Sequence, residues 1–121
     1  MLVVEDSAII AMDLEYSLED MGVAEVTIAS DLDTALRVAD SGEIDAALID
    51  VFLDRDDGLV VAGLLAVQEI PFALMTGLGE TSGLETQFPG VPILAKPFST
   101  EELAKAVERL CGPVSPEKRS S

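Results

Sequence analysis

The chain has 121 residues, of which 23 are Asp or Glu and 7 are Lys or Arg, so its formal charge is −16. That length suits one domain that buries roughly two-thirds of its unfolded surface, and 49% hydrophobic residues with a mean hydropathy of +0.38 argue against disorder. With no histidine and only Cys111, an internal disulfide and Cys/His zinc sites are excluded, while the acidic excess argues against binding to phosphate backbones or anionic membranes.

Leu2-Val3-Val4 reads as a short buried strand stopped by Glu5-Asp6. Ser7 can cap a first helix, with Ile9, Ile10, Leu14, Leu18 and Met21 as its apolar positions and Gly22 as its stop. Val26 and Ile28 mark a second strand. A second helix runs from Asp31 to Asp40 on Leu32, Ala35, Leu36 and Ala39. Residues 46–49 form a third strand ending at Asp50, and Leu59 to Val67 a third helix that is nearly apolar all round. Ile70 to Met75 makes a fourth strand ending at Thr76-Gly77, and Val91 to Ala95 a fifth ending at Lys96-Pro97. Ser99 with Glu102 predicts a capping box for a last helix on Leu103, Ala106, Val107 and Leu110, stopped by Gly112-Pro113.

This alternation, with short continuous apolar runs at strands one, three, four and five, indicates a parallel sheet covered by helices on both faces. Glycines and prolines crowd residues 76–92, so a fourth helix there is expected to be short or irregular. One domain is expected over residues 1–112, followed by a polar, disordered tail over 113–121. Nothing reaches the length of a membrane span, and Met1–Asp6 lacks the basic flank of a signal peptide. A cytoplasmic location is expected. Met12, Met21 and Met75 are expected in the core, with Cys111 passive near a helix end.

In open α/β sheets, ligands bind outside the carboxyl ends of the strands. Strand one delivers Glu5 and Asp6 there, strand three Asp50, strand four Thr76 and strand five Lys96. Lys96 is the first lysine of the chain; residues 1–95 hold 19 acids against Arg37 and Arg55 alone. One acid at a strand end is commonplace; four strand ends carrying complementary chemistry form a pattern. Three carboxylates repel one another unless a cation intervenes, and an all-oxygen set suits Mg²⁺ or Mn²⁺. A lysine and a hydroxyl opposite the metal suit a phosphoryl group.

Val3-Val4-Glu5-Asp6, Leu48-Ile49-Asp50 with Gly58 eight residues on, Thr76-Gly77 and Lys96-Pro97-Phe98 together resemble the receiver domain of bacterial response regulators, over nearly all of residues 1–111. The resemblance implies a flavodoxin-like, doubly wound five-stranded parallel sheet of order 2-1-3-4-5. It implies that Asp50 accepts a phosphoryl group from a sensor histidine kinase or a histidine phosphotransfer protein. Glu5 and Asp6 would hold magnesium, with Asp6 and Asp50 as direct ligands and the backbone carbonyl of Phe52 assisting. Thr76 and Lys96 would bind the phosphoryl oxygens. Output would run through a downstream protein target or onward transfer, with a phosphorylation-dependent dimer left open and no direct contact with nucleic acid or membrane. The chain would be a switch rather than an enzyme.

Three features depart from the family pattern. Asp54 stands where proline is frequent, within an acidic run through Asp57 that reads as a solvated loop. Ile93 replaces the aromatic residue that many receivers use in switching, which transfers the expected motion to the glycine-rich segment after Thr76. Phe52 and Leu78, two residues past Asp50 and Thr76, cannot orient an attacking water, so a slowly hydrolysing aspartyl phosphate is expected. The alternative is a Mg²⁺-dependent phosphohydrolase with an aspartyl nucleophile, disfavoured because Phe52 occupies the place of its second acid. An inactive receiver used only for interaction is disfavoured by the complete set of five site residues.

Overall fold

The computed structural model describes residues 1–51, 57–77 and 83–112. Its elements follow the alternation in the sequence: β1 Leu2–Val4, α1 Ala8–Asp20, β2 Thr27–Ala29, α2 Leu32–Asp40, β3 Ala47–Asp50, α3 Asp57–Val67, β4 Phe72–Thr76, α4 Leu84–Gln87, β5 Ile93–Ala95 and α5 Thr100–Cys111. The five strands form one parallel sheet of order β2-β1-β3-β4-β5. This is the expected flavodoxin-like order, with its reversal between β1 and β3. The tail over 113–121 and the acidic run through Asp56 lie outside the described residues.

Apolar strands buried on both faces need two helical layers, and the core accordingly divides into two clusters. On one face α2, α3 and α4 cover Leu2, Val4, Ile49 and Leu74. On the other, α1 and α5 cover Val3, Leu48, Ala73 and Met75. Alternate residues of β1 thus serve opposite clusters, as the two-residue period of a strand requires. Among the described residues no helix is long and apolar enough to cross a membrane.

Side-chain chemistry sets the helix ends. Ser7 accepts from the Ile10 amide and Asp31 from the Thr34 amide, and Ser99 and Glu102 form the capping box expected at α5. The fourth helix is one turn long, as the glycine content predicts. β4 begins at Phe72 rather than Ile70, because Glu69 takes a left-handed φ of 60° and the chain is still turning out of α3.

Some expectations need correction. The buried stripe of α1 is Ala11, Leu14 and Leu18, with Met21 just beyond; Ile9 and Ile10 are exposed, and so is Met12. Met21 and Met75 are in the core. β5 is an edge strand, and only Leu94 of its three residues is buried. The errors in α1 have one source: the helix is apolar on two sides, and composition alone does not say which side meets the sheet.

Thr34's backbone N–H, 2.7 Å from Asp31, is the main cause that holds this carboxyl below the ordinary carboxylate range. The folded state therefore favours the ionised form, so the stability this group contributes is present above the ordinary range and is lost as pH falls through it. We expect the thermal midpoint of the native chain, relative to Asp31→Asn, to decline as pH falls through and below the ordinary aspartate range at about pH 3.9, since Asn caps without titrating. Parallel midpoint curves for the two proteins would contradict the assignment.

Candidate functional site

The carboxyl ends of β1, β3, β4 and β5 meet at one edge of the sheet. β1 ends at Val4, so Glu5 and Asp6 turn over the edge just before Ser7 starts α1. Asp50 is the last residue of β3, Thr76 the last of β4, and Lys96 follows β5. Parallel pairing aligns these ends: Asp50 registers with Met75, and Thr76 with Ala95. The Val51 amide donates to the Met75 carbonyl at 2.9 Å and the Lys96 amide to the Thr76 carbonyl at 2.7 Å, extending the ladder to the site itself.

Glu5, Asp6 and Asp50 each offer a carboxylate oxygen, and these oxygens lie within 4.8 Å of one another. Glu5 and Asp50 are buried, while Asp6 is exposed. The Lys96 ammonium lies 2.8 Å from Glu5 Oε1 and 3.3 Å from Asp50 Oδ2. The Ser7 backbone N–H donates to the other Glu5 oxygen at 3.1 Å. Burial raises the Glu5 carboxyl above the usual carboxylate range; the Lys96 and Ser7 hydrogen bonds offset only part of this, and the nearby Asp50 adds to it. Burial alone would lower Lys96, but its hydrogen bond to Glu5 and the charge of Asp50 outweigh that, and the ammonium is held above the ordinary lysine value. Lys96 therefore stays protonated throughout the neutral range.

Thr76 completes the group. Its hydroxyl is fully buried and has no hydrogen-bond partner. A buried, unsatisfied hydroxyl is destabilising by about 1–3 kcal/mol, so it persists where something else requires it.

Gly58 holds Asp50 from behind. A Cβ at this first-turn position of α3 would run into the Asp50 carbonyl oxygen and would stand 2.9 Å from its carbon and 3.0 Å from Val51 Cα. Both neighbours are backbone, so neither can yield cheaply. The motif alone did not give this reason for glycine. Sequence reasoning also missed the Ser7 amide on Glu5 and the exposed stripe Ile9, Met12 and Tyr16 on α1. Spacing alone does not mark this side as the exposed one, because Leu14 and Leu18 make an equally apolar stripe opposite it. Phe52, whose carbonyl was expected to assist the metal, and Leu78 lie outside the described residues.

The donor set fits a divalent cation. It is all oxygen, and three carboxylates with one ammonium sum to −3 + 1 = −2, which one such ion neutralises. At the neighbouring strand ends stand two further hydrogen-bond donors, the buried Thr76 hydroxyl and the Lys96 ammonium.

A family model described as the response regulator receiver domain matches residues 1–108. The transcriptional regulatory protein PdtaR of Mycobacterium tuberculosis is 32% identical over 110 residues, which cover 88% of this chain and 54% of that protein. The solution structure of SdrG from Sphingomonas melonis has a TM-score of 0.75 at 38% identity, with 90% of this chain and 92% of that chain covered. The receiver domain of the sensor histidine kinase PA1611 from Pseudomonas aeruginosa, solved with a magnesium ion coordinated in its active-site cleft, has a TM-score of 0.73 at 26% identity, with 92% and 95% covered. The chain spans about half the length of the curated relatives it matches.

Two substitutions test this geometry. Thr76→Val replaces the unsatisfied hydroxyl with a methyl of similar size, and we expect it to stabilise the unliganded fold by about 1–3 kcal/mol, read from the urea midpoint at unchanged slope. Gly58→Ala and Gly63→Ala, in the same helix, should differ in sign. Alanine at 63 meets open space and should gain about 1 kcal/mol, whereas alanine at 58 should lose stability by pushing on Asp50.

Proposed function

This chain belongs to the response-regulator receiver family, and from that premise we propose that Asp50 is its phosphoacceptor, serving a two-component or phosphorelay pathway. The observation that carries the assignment is Lys96 lying between Glu5 and Asp50, with a buried, unpartnered Thr76 hydroxyl at the end of the adjacent strand. The proposed acceptor and the cation are in direct contact, and the hydroxyl ends the strand next to the acceptor's.

In the reaction, a carboxylate oxygen of Asp50 forms a bond to phosphorus as the bond from phosphorus to the donor histidine nitrogen breaks. The electron pair of that bond stays with the imidazole. Lys96, 3.3 Å from Asp50 Oδ2, can donate to a phosphoryl oxygen without moving far. Thr76 gains in that state the hydrogen bond it lacks in the free protein, so the interaction appears with the phosphoryl group and stabilises it selectively. Glu5, Asp6 and Asp50 would hold Mg²⁺, or Mn²⁺, with Asp6 and Asp50 as direct ligands and the Phe52 carbonyl assisting. The bound ion supplies the positive charge that lets an anionic phosphoryl group approach three carboxylates. Magnesium in the cleft of the Pseudomonas receiver supports this reading.

The donor is a protein, either a sensor histidine kinase or a histidine phosphotransfer protein. Ile9, Met12 and Tyr16 are 82%, 68% and 74% exposed on α1, starting three residues after Asp6, and give such a donor an apolar landing beside the pocket. Output passes to a downstream protein by contact or onward transfer, and the site works in the cytoplasm. The domain occupies residues 1–112. Nothing observed favours the phosphohydrolase alternative, and Phe52 still stands where its second acid would be.

The test is mass spectrometry of the intact protein after incubation with acetyl phosphate and Mg²⁺. We expect one phosphoryl group on the native chain and none on Asp50→Asn. Decay of that mass shift should be slow, because neither Phe52 nor Leu78 can orient water. Phosphoryl gain by the Asp50→Asn protein would sink the assignment, and rapid multiple turnover would favour a hydrolase.

A further inference from the structure

From Gly58 to Val67, helix α3 has no charged or hydrogen-bonding side chain. One side of it, Val61, Ala62 and Leu65, is fully buried in the core. The other side is not covered. Val60 is 52% exposed and Val67 82%, with Gly63 and Leu64 half-buried between them. These four residues stand at i, i+3, i+4 and i+7 and so line one face. By contrast α2 turns Asp33, Arg37 and Asp40 outward, and α5 turns Glu101, Lys105 and Glu108 outward.

Gly63 adds a second feature. Open space lies where its Cβ would stand, and its φ is not in the left-handed region, so nothing within the domain requires glycine there. Glycine in a helix interior is destabilising by about 1 kcal/mol relative to alanine. Its effect on the surface is a notch midway along the seam, where another backbone can come close.

The surroundings indicate what would cover this face. Among the described residues, the helical layer that holds α3 exposes Asp33 and Asp40 on α2, Glu69 just after α3 and Glu85 on α4, against one exposed base, Arg37. An apolar seam with acidic flanks complements an apolar stripe with basic flanks. A second copy of this chain fits poorly, since it would bring the same acidic flanks together on molecules that each carry −16.

We infer that the outer face of α3, along Val60, Gly63, Leu64 and Val67, docks a basic amphipathic helix of a partner protein. The partner's apolar stripe covers the seam, and its Lys and Arg side chains face the acids of α2 and the Glu69 turn. This surface is separate from the α1 stripe beside the pocket. It still connects to Asp50, because Gly58 in the first turn of the same helix rests on the Asp50 main chain.

The experiment titrates the isotopically labelled 121-residue protein with a synthetic helix carrying Leu at i, i+3, i+4 and i+7 and Lys elsewhere. Amide shifts should centre on Val60, Gly63, Leu64 and Val67. Val67→Glu separates docking from charge attraction. A further negative charge would tighten a purely electrostatic complex, whereas docking on the seam predicts about tenfold weaker binding. Tyr16→Glu, on the exposed side of α1, should leave the affinity within about twofold. Because both positions are exposed, the remaining amide spectrum reports directly whether each variant is folded. Shifts centred on α1 or the acidic pocket, no binding, or unweakened binding by Val67→Glu would each overturn the inference. Concentration-dependent shifts of the α3 amides without peptide would do so too, by making the occupant a second copy.

Discussion

The Lys96 ammonium, shared between Glu5 and Asp50, is the contact on which the rest of the site depends. Its partners are 91 and 46 residues away in the chain and come from the ends of different strands. Two buried carboxylates side by side would raise each other's proton affinity and oppose folding. One cation between them makes their burial tolerable while leaving the set with net negative charge. The sheet holds the three groups in fixed relation, since each follows or ends a strand whose ladder hydrogen bonds run up to the site.

The same edge carries the structure's unmet demands. Burial holds the Glu5 carboxyl above its ordinary range, and the Thr76 hydroxyl has no partner. Both features oppose stability in the free protein, and ligands of opposite character would relieve them: positive charge near Glu5 and an acceptor near Thr76. The two apolar clusters on either side of the sheet stabilise the fold enough to sustain these local losses. A site built this way responds to its ligand because the free state is left incompletely satisfied.

Charge and apolar surface divide the rest of the molecule. Charged side chains of both signs occupy the outward faces of α2 and α5. Two helices depart from this. α1 exposes an apolar stripe just after Glu5 and Asp6, and α3 exposes one whose first turn abuts the Asp50 main chain at the end of β3. Both faces are therefore joined to the chemistry by a short rigid connection, α1 through Ser7 and Glu5, α3 through Gly58 and Asp50.

Much of this was legible in the sequence because it rests on local rules. Apolar runs ended by Asp6, Asp50, Thr76 and Lys96 specify strands and what stands at their ends, and Ser7, Asp31 and Ser99 specify where helices begin. From alternation alone came a parallel sheet with its chemistry at one edge; the order 2-1-3-4-5 came from the receiver motifs. What tertiary structure decided was which side of an evenly apolar helix is buried. Ile9, Ile10 and Met12 look as core-like as Leu14 and Leu18, and only the direction in which α1 leaves β1 separates them. The same holds for α3, whose ten apolar or glycine residues have no preferred face until the sheet covers one. It also decided that Lys96 reaches Glu5 as well as Asp50, that Thr76 is left without a partner, and that glycine at 58 is required by a neighbouring backbone. The first joins residues 91 and 46 apart in the chain, the other two depend on how neighbouring elements pack, and side-chain periodicity carries no information about any of them.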